Sequence, residues 1–159
     1  NAAEQMSQKS GKDGLTHKAF IYNEIGKAAI VKNEVSLASQ AFNEAIRLQD
    51  QLAAPHLHLG DLLEQQGNYD AAESCWLEYA TANPKQAHHF FERLERIRTK
   101  LDRSENMEEL FSYVIQHNEK DWRAHLLMAQ IELNRGAIPK AFQYLKAKLG
   151  GRMIPCTEG

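Results

Sequence analysis

Small and apolar residues recur along this chain at helical spacing, in blocks that restart after 34 or 35 residues. In the block Ala53–Gln86, the residues His56, Leu59, Gly60 and Leu63 share one helical face. Gly67 interrupts it, Ala72 and Trp76 resume at i,i+4 spacing, and Pro84 closes it. Moving this frame 34 residues back aligns Tyr22, Ile25, Gly26 and Ala29 with the first set, and Ala38 and Phe42 with the second. Moving it 69 residues forward brings His125, Met128, Ala129, Gly136, Ala141 and Leu145 into the same places, and the interval between, Ala87 to Asp121, has room for one more block. The pattern therefore predicts an all-α chain of four helix–turn–helix units, 19–52, 53–86, 87–121 and 122–149. A flexible lead, 1–18, read as disordered, precedes them, and a short tail, 150–159, follows.

The small residues have a packing reason. Two amphipathic helices approach closely only where one surface carries almost no side-chain volume, so Gly26, Gly60 and Ala129 are expected to face Ala38, Ala72 and Ala141. One hairpin of this size cannot bury its apolar face alone. Neighbours must stack into a continuous core, for which about three units is the minimum.

Residues 1–16 are polar, contain Gly11 and Gly14, and have no apolar period. In the first unit Val35, Ala38, Phe42 and Ala45 form the second-helix stripe, and Asn33 takes the interhelix place held later by Gly67 and Gly136, a place that suits a left-handed conformation. Asn83-Pro84 reads as a helix N-cap followed by proline at the first position. The third unit departs from the frame, because Leu94 and Glu95 stand where the small residue belongs and no glycine separates its helices, so a wider helix crossing is expected there. Its stripes persist as Phe90, Leu94, Ile97, Leu101 and as Met107, Leu110, Phe111, Val114, with Asp102–Glu105 as a capping box between them. Asp121 caps the fourth unit, Pro139 is tolerated as a first-turn residue, and Gly150-Gly151 ends the last helix.

Composition narrows the function without naming it. With 159 residues, 43% apolar and 25% charged, the chain has a globular make-up, and its formal charge of −2 argues against general nucleic-acid or anionic-membrane affinity. No window has the roughly 18 apolar residues of a membrane span. Two cysteines, Cys75 and Cys156, form no CxxC pair and fit a reducing compartment. The pairs His56/His58 and His88/His89 point their rings to different helical faces, which disfavours chelation, so no metal is expected. Arg93, Arg96, Lys100 and Arg103 form a basic stripe interleaved with Glu92, Glu95, Asp102 and Glu105. It reads first as a salt-bridged solvated face and second as a dock for an acidic partner. No GxGxxG, Walker loop, nucleophile elbow or HExxH occurs, so neither a catalytic residue nor a cofactor is expected.

The residues quoted above, an aromatic or large residue followed by Leu-Gly, then Ala-x-x-x-Phe, then proline, resemble the tetratricopeptide repeat from Ala19 to about Leu149. The resemblance implies a right-handed α-solenoid whose first helices line a concave groove that binds a partner protein or peptide. Carried over by position, that groove is built from Phe20, Asn23, Lys27, Ile30 and Val31, then Leu57, Asp61, Glu64 and Gln65. Units three and four add His88, Phe91, Glu95 and Arg98, then Arg123, Leu126, Gln130 and Leu133. The Lys/Arg/Asn carboxylate clamp of chaperone-binding members does not match: Asn23 and Lys27 are in reversed order, His58 replaces the Asn, and Glu92 stands at a cation position.

The unit order, two regular repeats, the ERLERIRTKL and MEELFSYVIQ segments, then another regular repeat, is similar in layout to the cytoplasmic repeat region of the bacterial lipopolysaccharide assembly protein LapB family. That likeness implies a non-enzymatic, cytoplasmic adaptor, inner-membrane anchored in the full-length protein, that couples a membrane protease to lipid A synthesis. An alternative is the regulatory repeat region of an N-acetylglucosaminyl transferase whose catalytic part is absent. Finally, Ala141, Phe142, Leu145 and Leu149 make an apolar stripe at the C-terminal repeat. It is expected either to form a symmetric homodimer or to be covered by the Met153-Ile154-Pro155 tail.

Overall fold

A computed structural model of the chain describes residues 2–103 and 107–148. Among them are eight α-helices, α1 (Ala2–Val31), α2 (Val35–Leu48), α3 (Ala53–Gln65), α4 (Tyr69–Ala82), α5 (Phe91–Lys100), α6 (Met107–His117), α7 (Trp122–Asn134) and α8 (Ile138–Lys148), with a 3-10 turn, Pro84–His89, before α5. The fold is all-α, a tetratricopeptide-type stack of helical hairpins: α1 with α2, α3 with α4 and α7 with α8 form close pairs, and each second helix also packs on the next unit. Ser104 and Glu105 of the predicted capping box, and the tail residues beyond Lys148, lie outside the described residues.

Each hairpin turns at one left-handed residue. Asn33 (φ 60°), Gly67 (φ 77°), Asp102 (φ 56°) and Gly136 (φ 76°) stand 34, 35 and 34 residues apart. In every case the next backbone N–H reaches back to the carbonyl five residues earlier, Glu34 to Ala29, Asn68 to Leu63, Arg103 to Arg98 and Ala137 to Glu132, at 2.7–2.9 Å. This closure satisfies orphan carbonyls at the helix end. The third unit, which has no glycine between its helices, makes the turn with Asp102, whose short polar side chain tolerates the conformation.

Packing within the hairpins corrects one detail. A Cβ on Gly26 would strike the Phe42 ring, and one on Gly60 would strike the Trp76 indole, so the glycines accommodate the aromatic of the next helix rather than its alanine. Both rings are fully buried. Trp76 Nε1–H donates to the Leu57 carbonyl at 3.4 Å, which fixes the indole against α3. In the third unit the glycine place holds Glu95, and the equivalent ring, Phe111, instead meets Phe91 edge-on at 5.0 Å. As expected from the sequence, α5 and α6 do not close on each other, and α6 packs on the 3-10 turn, α4 and α7.

The core has two parts, a small cluster of Ala29, Ala38, Phe42 and Leu62, and a larger one running from Ala72 and Trp76 through Phe90 and Leu94 to Met128. Asp121 caps α7, its Oδ1 accepting from Arg123 and Ala124 N–H at 3.1 and 3.2 Å. Asn83 does not cap: its Nδ2 donates back to the Tyr79 carbonyl at 3.2 Å, and Pro84 opens the 3-10 turn rather than an α-helix. That turn buries Ala87 and Phe90, with Phe90 stacked 4.8 Å from Tyr79. The 1–18 lead also differs from expectation, since helix is continuous from Ala2 to Val31. Residues 5–15 are exposed, so packing does not impose it. With no proline to interrupt it, the helix anchored where Ala19 is buried continues backwards, although Gly11 and Gly14 each cost about 1 kcal/mol against alanine.

Candidate functional site

The row of first helices, α1, α3, α5 and α7, carries the side chains expected to form the binding groove. Much of its polar content is consumed in joining units. Asn23, buried on α1, places Oδ1 2.9 Å from His58 Nδ1 on α3. Burial pushes the His58 pKa down, which favours a neutral ring that donates this bond. Arg93 grips Asp61 through two bonds of 2.7 and 2.9 Å. Arg96 grips Glu64 at 3.0 and 2.7 Å, and Lys100 adds a 2.8 Å bond to the same carboxylate while lying 5.1 Å over the Tyr69 ring. Hydrogen bonding from Arg96, then Lys100, lowers the Glu64 pKa to about 2.

The basic stripe is therefore salt-bridged, though not within its own helix. Its partners are carboxylates of the second unit: Arg103 takes Asp70 at 2.9 Å and Glu73 at 2.8 Å, and the buried Arg98 takes Glu73 at 2.7 Å. The stripe faces back along the array, because residues 93, 96 and 100 lie on the side of α5 turned to α3 and α4. It is a fastening between units, which removes it as a free dock for an acidic partner.

Two candidates move to the interior. Phe91 is 4% exposed and Arg98 is 7% exposed, so neither offers a groove surface. The cause is a one-residue slip of phase. Phe91 shares its repeat position with the packing residues Tyr22, His56 and His125, and Arg98 shares one with Ala29, Leu63 and Glu132. One residue along a helix is a rotation of about 100°. The residues in phase with Phe20, Leu57, Asp61 and Glu64 are His89, Glu92, Arg96 and Thr99, and all four are exposed. The same slip affects His88, half-buried with Nδ1 3.6 Å from Asp121 Oδ2, and Glu95.

Of the others, Phe20, Lys27, Arg123, Leu126 and Gln130 are exposed, while Asp61 is engaged by Arg93 and Leu57 is half-buried against the larger core cluster. Lys27 pairs with Glu24 at 2.9 Å, the Arg123 guanidinium lies 4.5 Å over the Trp122 ring, and Gln130 donates to Asn134 Oδ1 at 3.0 Å. Leu126 and Leu133 do not sit in a central groove. They line an apolar depression of about 210 Å³ at the open end of the array with Ile138, Phe142 and Leu145.

At the opposite end, between α1 and α2, Tyr22, Ile25, Leu37 and Ala41 line a wider cleft of about 560 Å³ whose rim carries the Glu44–Arg47 ion pair. The sequence reading missed this surface. Ile25 repeats the position of Leu59, where packing is expected, yet at the first unit it stays 40% exposed.

The histidines at the repeated position act alike. His56 Nε2 lies 3.0 Å from the Asp50 carbonyl, and His125 Nε2 lies 2.9 Å from that of Glu119, each six residues back. Among the described residues no group of three His, Cys, Asp or Glu side chains is placed to hold a metal. Cys75 is half-buried, its thiol pushed up to about 11 by burial, and is correspondingly unreactive. No described helix is long and apolar enough to cross a membrane.

Residues 23–87 match the tetratricopeptide repeat family model. No curated protein matches the chain. Among solved structures it is similar to a crystal structure of MamA, with TM-score 0.52 and 17% identity, covering 83% of this chain and 77% of that one. A second MamA structure gives TM-score 0.51 and 16% identity, with coverage of 84% and 72%. A Pseudomonas aeruginosa pilF structure gives TM-score 0.44 and 17% identity, with coverage of 90% and 79%. At these identities the likeness to the two MamA structures is one of fold.

Proposed function

We propose that this chain is a non-enzymatic protein-interaction scaffold, binding a partner protein or peptide along the first-helix row of its repeat array. The observation that carries the reading is the array itself. Stacked hairpins hold a row of exposed side chains, Phe20, Lys27, His89, Glu92, Arg123 and Gln130, on a frame in which Asp61 and Glu64 are already paired between units with Arg93 and Arg96. Such a surface supplies spaced contacts to an extended partner and no cluster that would activate a nucleophile. Tetratricopeptide repeats generally mediate protein–protein interaction, which favours the same reading.

The finer reading is a LapB-like adaptor of lipopolysaccharide synthesis in a bacterial cytoplasm, supported by unit order and helix phrasing alone. Self-association through the C-terminal repeat belongs to it, and no nucleic-acid partner does. Affinity capture with the purified chain, quantified against a Phe20→Ser, Gln130→Ala variant, tests the proposal. Recovery of a membrane protease and a lipid A enzyme that the variant loses supports the adaptor. Turnover of a nucleotide sugar by the intact protein would replace it with the transferase reading.

A further inference from the structure

The two ends of the array match each other. Inside the chain, Asp61 of unit two bonds Arg93, and five further positions meet α5: Leu57 and Trp76 enter the cluster that holds Leu94, Glu64 bonds Arg96 and Lys100, Tyr69 lies under Lys100, and Glu73 bonds Arg98. Sixty-nine residues on, the same positions of unit four are Leu126, Leu145, Leu133, Ile138 and Phe142. All five are apolar, and all are between 41% and 64% exposed. The surface that seats a following unit within the chain is thus repeated at α7–α8, with Glu64 and Glu73 replaced by hydrocarbon and Asp61 by Gln130.

The receiving surface changes in parallel. Unit three accepts unit two with Phe90 and Leu94, both fully buried, and with Lys100. Sixty-nine residues back, the corresponding places on α1 are Ile21, Ile25 and Val31, exposed at 47%, 40% and 88%. Where Lys100 meets Glu64 and Tyr69 internally, α1 offers Val31 and the last unit offers Leu133 and Ile138. Both sides of the Lys100 contact are apolar here, while Arg93 and Arg96 correspond to Glu24 and Lys27, which pair with each other on α1. A partner unrelated to this chain would require no such agreement, and exposed apolar surface on this scale calls for a cover.

We propose that the chain binds a second copy of itself head to tail, the α7–α8 face of one copy seating on the α1 face of the next in the manner of the internal α3–α4 to α5 junction. The surfaces are unlike, so the contact is heterologous and leaves a free end of each kind. Association therefore grows with concentration past the dimer. This goes beyond the partner surface proposed above and uses different residues.

Sedimentation velocity over a concentration series tests it. The unaltered chain is expected to rise in mean mass beyond a dimer. Val31→Lys and Leu133→Glu, each burying an unpaired charge, are each expected to weaken association by about tenfold or more. Combining the two substitutions in one chain, which restores the charge pairing of Lys100 with Glu64, is expected to recover it. Circular dichroism of these surface variants checks that helix content is unchanged. A chain that stays monomeric overturns the proposal, as happens if the ends are covered by flanking segments of a longer polypeptide. A mass that stops at the dimer and responds to Leu133→Glu but not to Val31→Lys also overturns it, in favour of a symmetric C-terminal pair.

Discussion

Replacing Gly60 by alanine tests the hairpin packing most sharply, because two effects of opposite sign compete. Alanine in a helix interior gains about 1 kcal/mol over glycine from backbone propensity. Against this, the new Cβ would overlap the Trp76 indole at Nε1 and Cε2 and come within 2.7 Å of Cδ1. That ring is fully buried and tied to the Leu57 carbonyl at 3.4 Å, so it has no free direction in which to move. Overpacking of a filled core costs about 1–3 kcal/mol, and the depth of overlap with a rigid ring puts this case at the upper end. The net expectation is a loss of about 1–2 kcal/mol, a fall in Tm of roughly 2–8 °C for a chain of this size. Urea and thermal unfolding followed by circular dichroism measure it. In a double-mutant cycle, Trp76→Leu is expected to cost less in the Gly60→Ala background than alone, since it relieves the overlap. If Gly60→Ala raises Tm, propensity has won and the close approach of α3 to the indole is not a determinant of the fold.

Four further outcomes follow from the same geometry. Glu73→Ala leaves Arg98 buried without its carboxylate and is expected to destabilise by about 3–5 kcal/mol, whereas replacing both residues by leucine costs much less; chemical denaturation separates the two. Asp121→Ala removes the α7 cap and is expected to cost about 1 kcal/mol in the same assay. Asp102→Gly relieves a left-handed non-glycine residue and is expected to stabilise by up to about 1 kcal/mol, seen as a raised Tm. Glu64 has a folded-state pKa depressed from the ordinary 4.5 to about 2, so its contribution is complete above about pH 4.5 and is lost as pH falls toward 2. In Glu64→Gln the acid limb of the stability profile between those values is expected to flatten.

What could be read from the sequence divides by how local its cause is. The hairpin turns at Asn33, Gly67 and Gly136, the Asp121 cap and the first-turn Pro139 were legible, because each depends on a few neighbouring residues. The open crossing of α5 and α6 was legible too, from Leu94 and Glu95 in place of a small residue. Without the glycine anchor, however, the repeat frame is ambiguous by one residue in α5, and the 34-residue alignment puts Phe91 and Arg98 on the surface. The cure lay in the sequence itself. Phe91 repeats the position of Tyr22, His56 and His125 in the frame, and Asp102 repeats that of Asn33, Gly67 and Gly136. The cross-unit partners of Arg93, Arg96 and Lys100 were not legible, since Glu92 and Glu95 are nearer in sequence and only the stacking of helices brings Asp61 and Glu64 within 3.0 Å. The continuous helix of the lead was hidden by its glycines and polar composition. Burial at the ends was illegible for a different reason: the repeat pattern marks a position as packing whether or not a neighbour is present to cover it.

Hydrogen exchange read by mass spectrometry, on dilute and on concentrated protein, tests most directly the claim that the two ends of the array are the two unlike sides of one contact. Helix ends that lack neighbours open locally and exchange readily, and docking suppresses that opening. The account predicts that raising the concentration slows exchange in 21–31 of α1 and in 126–145 of α7 and α8 together, while the internal junction of α3 with α5 is unchanged. Slowing at one end only, or at neither, would contradict it.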